Sequence, residues 1–176
     1  MYLICDDVNE GDFHKLEELK LLVPSLKVNC FVMGKDAGDY LLKDWIEVGV
    51  HGFEHTYPPE CERDNQREYI TKGLEALKKY LPINFGFRAP GFQIIASTYS
   101  ILKELGFCYI AHQSRIQVLQ LSNFPVVADT IEEADKEIRD RMRNFKQYEI
   151  INTHIYDDSL KKVKCGDFHF IWEGFW

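Results

Sequence analysis

The chain has 176 residues, of which 45% are hydrophobic and 28% are charged, a composition typical of a globular protein. Its length suits one compact domain over residues 1–176 and is too short for two comfortable ones. The formal net charge of -7 argues against nucleic acid or an anionic membrane surface as the main partner.

The N-terminal residues Met1 to Asp7 form a short apolar run that ends in two acids. The run has neither the basic region nor the long apolar region of a signal peptide. No apolar stretch of the chain approaches the roughly 20 residues that a spanning helix needs. The five cysteines lie far apart without a C-x-x-C pair, which favours reduced thiols over a disulfide framework. We therefore expect a cytoplasmic protein without a membrane span.

Short apolar runs alternate with helical patterns along the chain. The apolar runs predict strands at about 2–6, 27–33, 46–51, 84–88, 107–111, 123–127 and 148–153. The helical patterns lie at about 11–22, 38–45, 62–80, 96–105 and 130–146. Little apolar–polar alternation within the strands indicates a parallel sheet that is covered on both faces. The order predicts an α/β fold, either an incomplete barrel or an open doubly wound sheet.

Side chains that could bind a metal or take part in catalysis lie where the predicted strands end. Asp6 and Asp7 close the first strand, His51 the third, Arg88 the fourth and His154 the last. In both candidate folds, sites gather at the C-terminal ends of parallel strands. We therefore expect these five residues to face one rim of the fold.

The segment from His51 to His55 places two imidazoles four residues apart. On one helical turn this spacing brings them to the same side. Two imidazoles and one carboxylate would form a His2Asp site for zinc or a neighbouring divalent metal, with an open position. The alternative is a pair of ordinary surface histidines around a turn.

The adjacent Asp6 and Asp7 offer this carboxylate and a second one. If one of them holds the metal, the other can act as a base toward water. The spacing leaves open which Asp has which role. The alternative is a helix N-terminal region, in which Asn9 or Asp12 has the capping role.

Arg88 leaves a predicted buried strand and is followed by Ala89, Pro90, Gly91 and Phe92. The guanidinium is a rigid fork of donors that matches a carboxylate, so Arg88 can hold a catalytic Asp in its charged form. Pro90 and Gly91 predict a turn that passes close to a ligand. The alternative is a surface ion pair.

His154 follows the last predicted apolar strand. It is either a satisfied buried histidine or a general acid, since Asp157 or Asp158 nearby could raise the pKa of its imidazole.

Taken together and in this order, these segments resemble the polysaccharide deacetylase superfamily, carbohydrate esterase family four, with its chitooligosaccharide deacetylase homology domain. The family motif T-F-D-D is similar to Ile4-Cys5-Asp6-Asp7, and the motif H-[ST]-x-x-H is matched by His51 and His55. The motif R-x-P-[YFG] is matched by Arg88-Ala89-Pro90-Gly91, and the final motif around L-H-x-H is similar to Asn152-Thr153-His154. The resemblance runs from residue 2 to about residue 157.

The resemblance implies a distorted, incomplete (β/α)7 barrel and the hydrolysis of an acetyl or formyl group on the nitrogen of an amino sugar or glycan. It implies a divalent metal, usually Zn2+, held by Asp7, His51 and His55. It makes Asp6 the general base, Arg88 the residue that positions this base, and His154 the general acid. Pro90, Gly91 and Phe92 are the expected substrate-binding residues.

Four departures from the family pattern concern mainly the substrate side. Gly52 replaces the usual Ser or Thr of the second motif, Cys5 stands where Phe is usual, and the last motif keeps one His. The fourth motif has no good match; Asp129 and Asp135 are poor candidates, whereas Asp157 or Trp172 could substitute. Two alternatives therefore stay open: a related hydrolase of a non-sugar amide, and a non-catalytic carbohydrate-binding barrel.

Overall fold

A computed structural model describes residues 2–56, 63–112, 116–118, 150–155, 163 and 167–171. Its strands are β1 (Tyr2–Asp6), β2 (Val28–Val32), β3 (Ile46–Val50), β4 (Gly86–Phe87), β5 (Tyr109–Ala111), β6 (Ile116–Val118) and β7 (Ile150–His154). Its α-helices are α1 (His14–Leu22), α2 (Arg63–Leu77) and α3 (Ala96–Glu104). Short 3-10 turns lie at Gly34–Asp36, Asp39–Leu41 and Pro90–Phe92.

The strands form one sheet in the order β6-β5-β4-β3-β2-β1-β7. All neighbours pair in parallel except β5 and β6, which are antiparallel. Six predicted strands correspond to β1 to β5 and β7, and β6 was not predicted. The predicted strand at 123–127 and helix at 130–146 lie outside the described residues.

Contacts across the sheet show that it is curled. Neighbouring strands lie about 4.8 Å apart, so β4 and β1 would be about 14 Å apart in a flat sheet. Arg88, directly after β4, nevertheless donates hydrogen bonds to Asp6 at the end of β1, at 2.7 Å, and to Asn152 of β7, at 2.9 Å. Only a sheet closed toward a barrel brings these strands together. The predicted incomplete barrel is confirmed, and the doubly wound alternative is wrong.

The two faces of the sheet carry different residues, because side chains alternate along a strand. Cys5, Cys30 and Phe87 belong to the main core, together with Leu16 of α1 and Leu77 of α2. The inner face carries a smaller cluster that contains Ile4, Phe31, Tyr109 and Ala111.

Two glycines make room for the large rings inside the barrel. A Cβ atom at Gly49 would lie 2.7 Å from Cδ1 of Phe31, and one at Gly86 would lie 2.6 Å from Cδ2 of Tyr109. Both distances are well below van der Waals contact, so the interior is filled by aromatic rings opposite positions without side chains.

The C-terminal residues 167–171 close the barrel at the N-terminal ends of the strands. Ile171 is fully buried in the inner cluster, and its backbone N–H donates to Asn29 Oδ1 at 2.8 Å. Asn29 Nδ2 donates to the carbonyls of Leu3, at 3.1 Å, and His169, at 3.3 Å. This end of the barrel is therefore packed, and it lies opposite the strand ends that carry the candidate site.

Two local predictions were wrong. Residues 38–45 form only the 3-10 turn Asp39–Leu41 and no α-helix. Trp45 stacks on Phe13, with ring centroids 5.9 Å apart, just before β3 begins. The N-cap residue of α1 is Phe13, whose side chain makes no capping hydrogen bond, and neither Asn9 nor Asp12 occupies this position. Asn9 instead accepts a hydrogen bond from the backbone of Asp12, at 3.0 Å, one turn earlier.

The longest described helix is α2, with 15 residues. Within the described parts of the chain, no helix combines the length and the apolar character that crossing a bilayer would require.

Candidate active site

The side chains that were predicted to bind metal or to take part in catalysis lie at one rim of the barrel, at the C-terminal ends of the parallel strands. Asp6 ends β1 and is the register partner of His154, which ends β7. His51 follows β3, and its N–H donates to the carbonyl of Val32 at 2.9 Å. Arg88 follows β4, and its N–H donates to Val50 at 3.0 Å.

Asp6 and Arg88 form a buried ion pair in this rim, with side chains that are 2% and 0% exposed. Nε of Arg88 lies 2.7 Å from both carboxylate oxygens of Asp6 and donates a hydrogen bond to Oδ2. Nη1 donates to the carbonyl of His112 and Nη2 to Oδ1 of Asn152, each at 2.9 Å. All three guanidinium nitrogens are therefore bonded, which fixes the direction in which Asp6 presents its carboxylate.

Burial raises the pKa of Asp6, while the guanidinium of Arg88 opposes the rise. A raised pKa makes the carboxylate a stronger base, and the ion pair favours its charged form.

Asp7 faces the same rim because the strand alternation is broken there. In a regular strand Asp7 would point away from Asp6. Its φ of 55° is left-handed, which few residues other than Gly adopt, and turns the chain at the end of β1. Such a conformation costs free energy and is commonly found at functional sites.

Asp7, His51 and His55 bring three potential metal ligands together. Their ligand atoms all lie within 4.8 Å of one another. Oδ1 of Asp7 is 3.5 Å from Nε2 of His51 and 3.9 Å from Nε2 of His55. Ligands about 2.1 Å from a tetrahedral zinc ion are about 3.4 Å apart, so these spacings are close to those of a zinc site.

The orientation of His51 is set by its other ring nitrogen. Nδ1 lies 2.8 Å from the backbone carbonyl of Arg88, and a bond to a carbonyl requires that Nδ1 carry the proton. Nε2 then keeps its lone pair toward Asp7. Burial lowers the pKa of His51 to about 4, so the ring is neutral at neutral pH. A neutral imidazole with its second nitrogen bonded to a carbonyl is the usual form of a histidine that binds metal.

A buried oxygen atom of Asp7 indicates that these residues suit a cation. Oδ1 of Asp7 is buried and accepts no hydrogen bond from any described residue. A buried carboxylate oxygen without a partner is costly and requires an explanation. A divalent cation between Asp7, His51 and His55 would satisfy it, and the donor set of two imidazoles and one carboxylate fits such an ion.

His154 lies on the other side of Asp6. Its Nε2 is 4.0 Å from Oδ2 of Asp6, and its side chain is 38% exposed. His154 therefore reaches the rim from β7, next to the buried ion pair and open to solvent. Asp129, Asp135, Asp157, Asp158 and Trp172 lie outside the described residues.

Comparison with known proteins identifies the architecture. No family sequence model and no curated protein matches the sequence. Solved structures do match. A family 4 carbohydrate esterase from Streptomyces lividans, in complex with acetate, aligns with a TM-score of 0.60 and 16% identity over 91% of this chain and 81% of that chain. This chain has the fold of the family 4 carbohydrate esterases.

Two further structures show the range of proteins with this fold. The chitin deacetylase from the fungal pathogen Colletotrichum lindemuthianum aligns with a TM-score of 0.57 and 16% identity, over 92% of this chain and 77% of that one. A family 4 pseudoenzyme from Bacillus anthracis aligns with a TM-score of 0.60 and 16% identity, over 91% of this chain and 56% of that one. Active and inactive proteins therefore share this esterase fold.

The two histidines do not lie on a helical turn, as their spacing predicted. Residues 52–56 bend away from β3 without forming a helix, and Gly52 has a φ of 82°. The imidazole rings are nevertheless 5.6 Å apart. A Ser or Thr at position 52 would not fit without a shift, since a Cβ atom at Gly52 would lie 2.5 Å from Cζ of Tyr69.

The predicted turn at Pro90–Phe92 is a 3-10 turn beside the ion pair. Gly91 and Phe92 both have left-handed backbones, with φ of 59° and 58°. The ring of Phe92 covers the guanidinium of Arg88, with Cζ 4.5 Å from its centroid. Phe92 is half-buried and Gly91 is exposed, so this turn forms part of the rim above Arg88. A substrate-binding role for these residues stays a prediction.

Sequence reasoning gave no role to Asn152, whose side chain accepts the third bond of Arg88. One signal was available: Asn152 is a polar residue inside an apolar run, two positions before His154 and hence on the same face of the strand. The bond from Arg88 to the backbone carbonyl of His112 could not be predicted from the sequence, because every residue has a backbone carbonyl.

Proposed function

We propose that the chain is a member of the family whose fold it shares, and that it is a metal-dependent hydrolase that removes an acetyl or formyl group from the nitrogen of an amino sugar or glycan. The proposal rests on one observation above all. A possible metal triad, a buried Asp–Arg pair and a partly exposed histidine meet at one rim of the barrel. Together these groups could activate water, stabilise the oxyanion and protonate the leaving nitrogen, which is one way to hydrolyse an amide.

The proposed metal ligands are Asp7, His51 and His55, and zinc is the proposed metal. A bound zinc ion would supply a Lewis acid toward the carbonyl oxygen of the acyl group. The carbonyl of Arg88 keeps His51 in the required tautomer.

The proposed proton transfers use the two residues that pair at the ends of β1 and β7. Asp6 accepts the proton of the attacking water, and Arg88 keeps the carboxylate oriented for this task. His154 donates a proton to the nitrogen that leaves the acyl group. The spacing of 4.0 Å between His154 and Asp6 supports this division, because both can reach a substrate bound at one rim.

A substrate panel tests the proposal. The purified protein is incubated with N-acetylated and N-formylated amino sugars and short glycans, with and without added Zn2+, and released acetate or formate is measured. We expect zinc-dependent release from at least one sugar. Release only from non-sugar amides would favour the related amidohydrolase. If zinc binds and a wide panel yields no acid, a binding barrel is favoured, as in the pseudoenzyme with this fold.

His55→Ala is expected to weaken zinc binding by more than about 100-fold, since the loss of a direct ligand should exceed the 10–100-fold effect of an outer contact. Metal content and zinc titration of the metal-free protein measure the change. His14→Ala removes an exposed histidine on α1 and serves as the control. Full retention of zinc by His55→Ala would overturn the proposed ligand set.

A further inference from the structure

The loop that carries His55 is bonded to the hydroxyl group of Tyr69 on α2. Oη of Tyr69 donates a hydrogen bond to the carbonyl of Glu54. The same atom accepts a hydrogen bond from the backbone N–H of Thr56, at 3.3 Å. One side chain therefore holds the backbone on both sides of His55.

The path of the chain makes this contact possible. Gly52 has no side chain, so the ring of Tyr69 can lie against its backbone. One turn further along α2, Gly73 lets the helix approach the same loop, since a Cβ atom there would lie 2.5 Å from the carbonyl oxygen of Gly52. The N–H of Gly34 donates to that carbonyl at 2.9 Å. Three glycines thus bring α2 and the turn after β2 against the loop.

The need for such support follows from the position of His55. His51 is 3% exposed in its side chain and follows directly from β3. His55 is 38% exposed and lies four residues further, in a loop that belongs to no helix or strand. Within residues 54–56 the loop has one backbone bond of its own, from the N–H of Thr56 to the carbonyl of Glu54 at 2.7 Å. Its imidazole can hold a fixed place relative to Asp7 only if the backbone at residues 54–56 is fixed.

We propose that Tyr69 is a positioning residue for the metal centre. Through its hydroxyl group, Tyr69 holds the loop so that His55 stays at binding distance from Asp7 and His51. This inference rests on the proposed function, because it takes these three residues as the metal ligands. Tyr69 is not one of the three proposed ligands and acts only through the backbone of the loop. From the neighbouring helix α2, it supplies support that the loop cannot obtain from a side chain at Gly52.

The test compares two tyrosines that each lose only a hydroxyl group. Tyr69→Phe keeps the ring against Gly52 and removes the bonds to Glu54 and Thr56. Tyr80→Phe removes a hydroxyl that donates to the exposed Asp39, at 3.0 Å, and is the matched control. Metal-free forms of both variants and of the unmodified protein are titrated with Co2+, and the dissociation constant and the visible spectrum are recorded.

We expect Tyr69→Phe to raise the dissociation constant for Co2+ by about 10-fold or more, as for other losses of support behind a metal ligand. Tyr80→Phe should leave it unchanged. Hydrogen exchange in the peptide that contains residues 52–56 should become faster in metal-free Tyr69→Phe alone. Because the exchange readout needs no metal, it also reports on the loop if the variant binds too weakly to titrate.

The outcomes separate this inference from the proposed function. Equal Co2+ affinity and equal exchange in Tyr69→Phe and Tyr80→Phe would overturn the role of Tyr69 and leave the metal site in place. Failure of the unmodified protein to bind Co2+ or Zn2+ would overturn both proposals.

Discussion

Asp6→Asn is expected to reduce turnover by about 10²–10⁴-fold and to leave metal binding close to that of the unmodified protein. The amide of Asn has the shape of the carboxylate, and its oxygen can still accept the bond from Arg88. It cannot accept the proton of the attacking water. The proposed ligands Asp7, His51 and His55 are untouched. Turnover of a substrate found in the panel and zinc content are the two measurements.

Asp44→Asn is the control for this experiment, because Asp44 is an exposed carboxylate away from the rim. It should change neither measurement. Turnover of Asp6→Asn within a few-fold of the unmodified protein would assign the base to another group. Loss of zinc together with turnover would instead make Asp6 a metal ligand.

Arg88→Met should lower the free energy of unfolding by about 3–5 kcal/mol, because it leaves the buried carboxylate of Asp6 without its countercharge. The carbonyl of His112 and the side chain of Asn152 also lose their donor. Chemical denaturation of the metal-free protein measures the effect. Arg67→Met is the matched control: it removes an exposed ion pair with Glu104, for which about 0–1 kcal/mol is expected.

Arg88→Lys provides a second, milder variant. A lysine keeps the charge but cannot bond three acceptors in the fixed geometry of a guanidinium. The bond from His51 goes to the backbone carbonyl of residue 88 and survives the substitution. We therefore expect zinc binding to persist and turnover to fall.

An equal free energy of unfolding for Arg88→Met and Arg67→Met would contradict the stabilising role of the buried Asp6–Arg88 pair.

The positions of the site residues along the strands could be predicted, because short apolar runs buried on both faces mark the strands of a parallel sheet. Once the strands are known, the residue after each one lies at a common edge. This reasoning brought Asp6, His51, Arg88 and His154 to one rim without knowledge of the sheet order. Strand periodicity could not distinguish a barrel from an open sheet, since curl depends on contacts between distant strands.

The remaining features depend on single backbone angles and on contacts that have no sequence pattern. Only the left-handed conformation of Asp7 brings it to the same rim as Asp6. The spacing of His51 and His55 suggested a helical turn, whereas the left-handed Gly52 produces a bend. Tyr69 lies within the helical pattern predicted at 62–80, but helical periodicity does not predict which atoms its hydroxyl group contacts.

The pairing of β1 with β7 has a consequence for the order in which the site forms. Asp6, Asp7, His51, His55 and Arg88 all belong to the first half of the chain, whereas His154 arrives with β7. Joining Tyr2 to Ile150 closes a very long loop, whose entropy is lost before the contacts are gained. We expect docking of β7 to be a late step of folding. The proposed ability to hold a cation would then arise during folding before the proposed ability of His154 to deliver a proton.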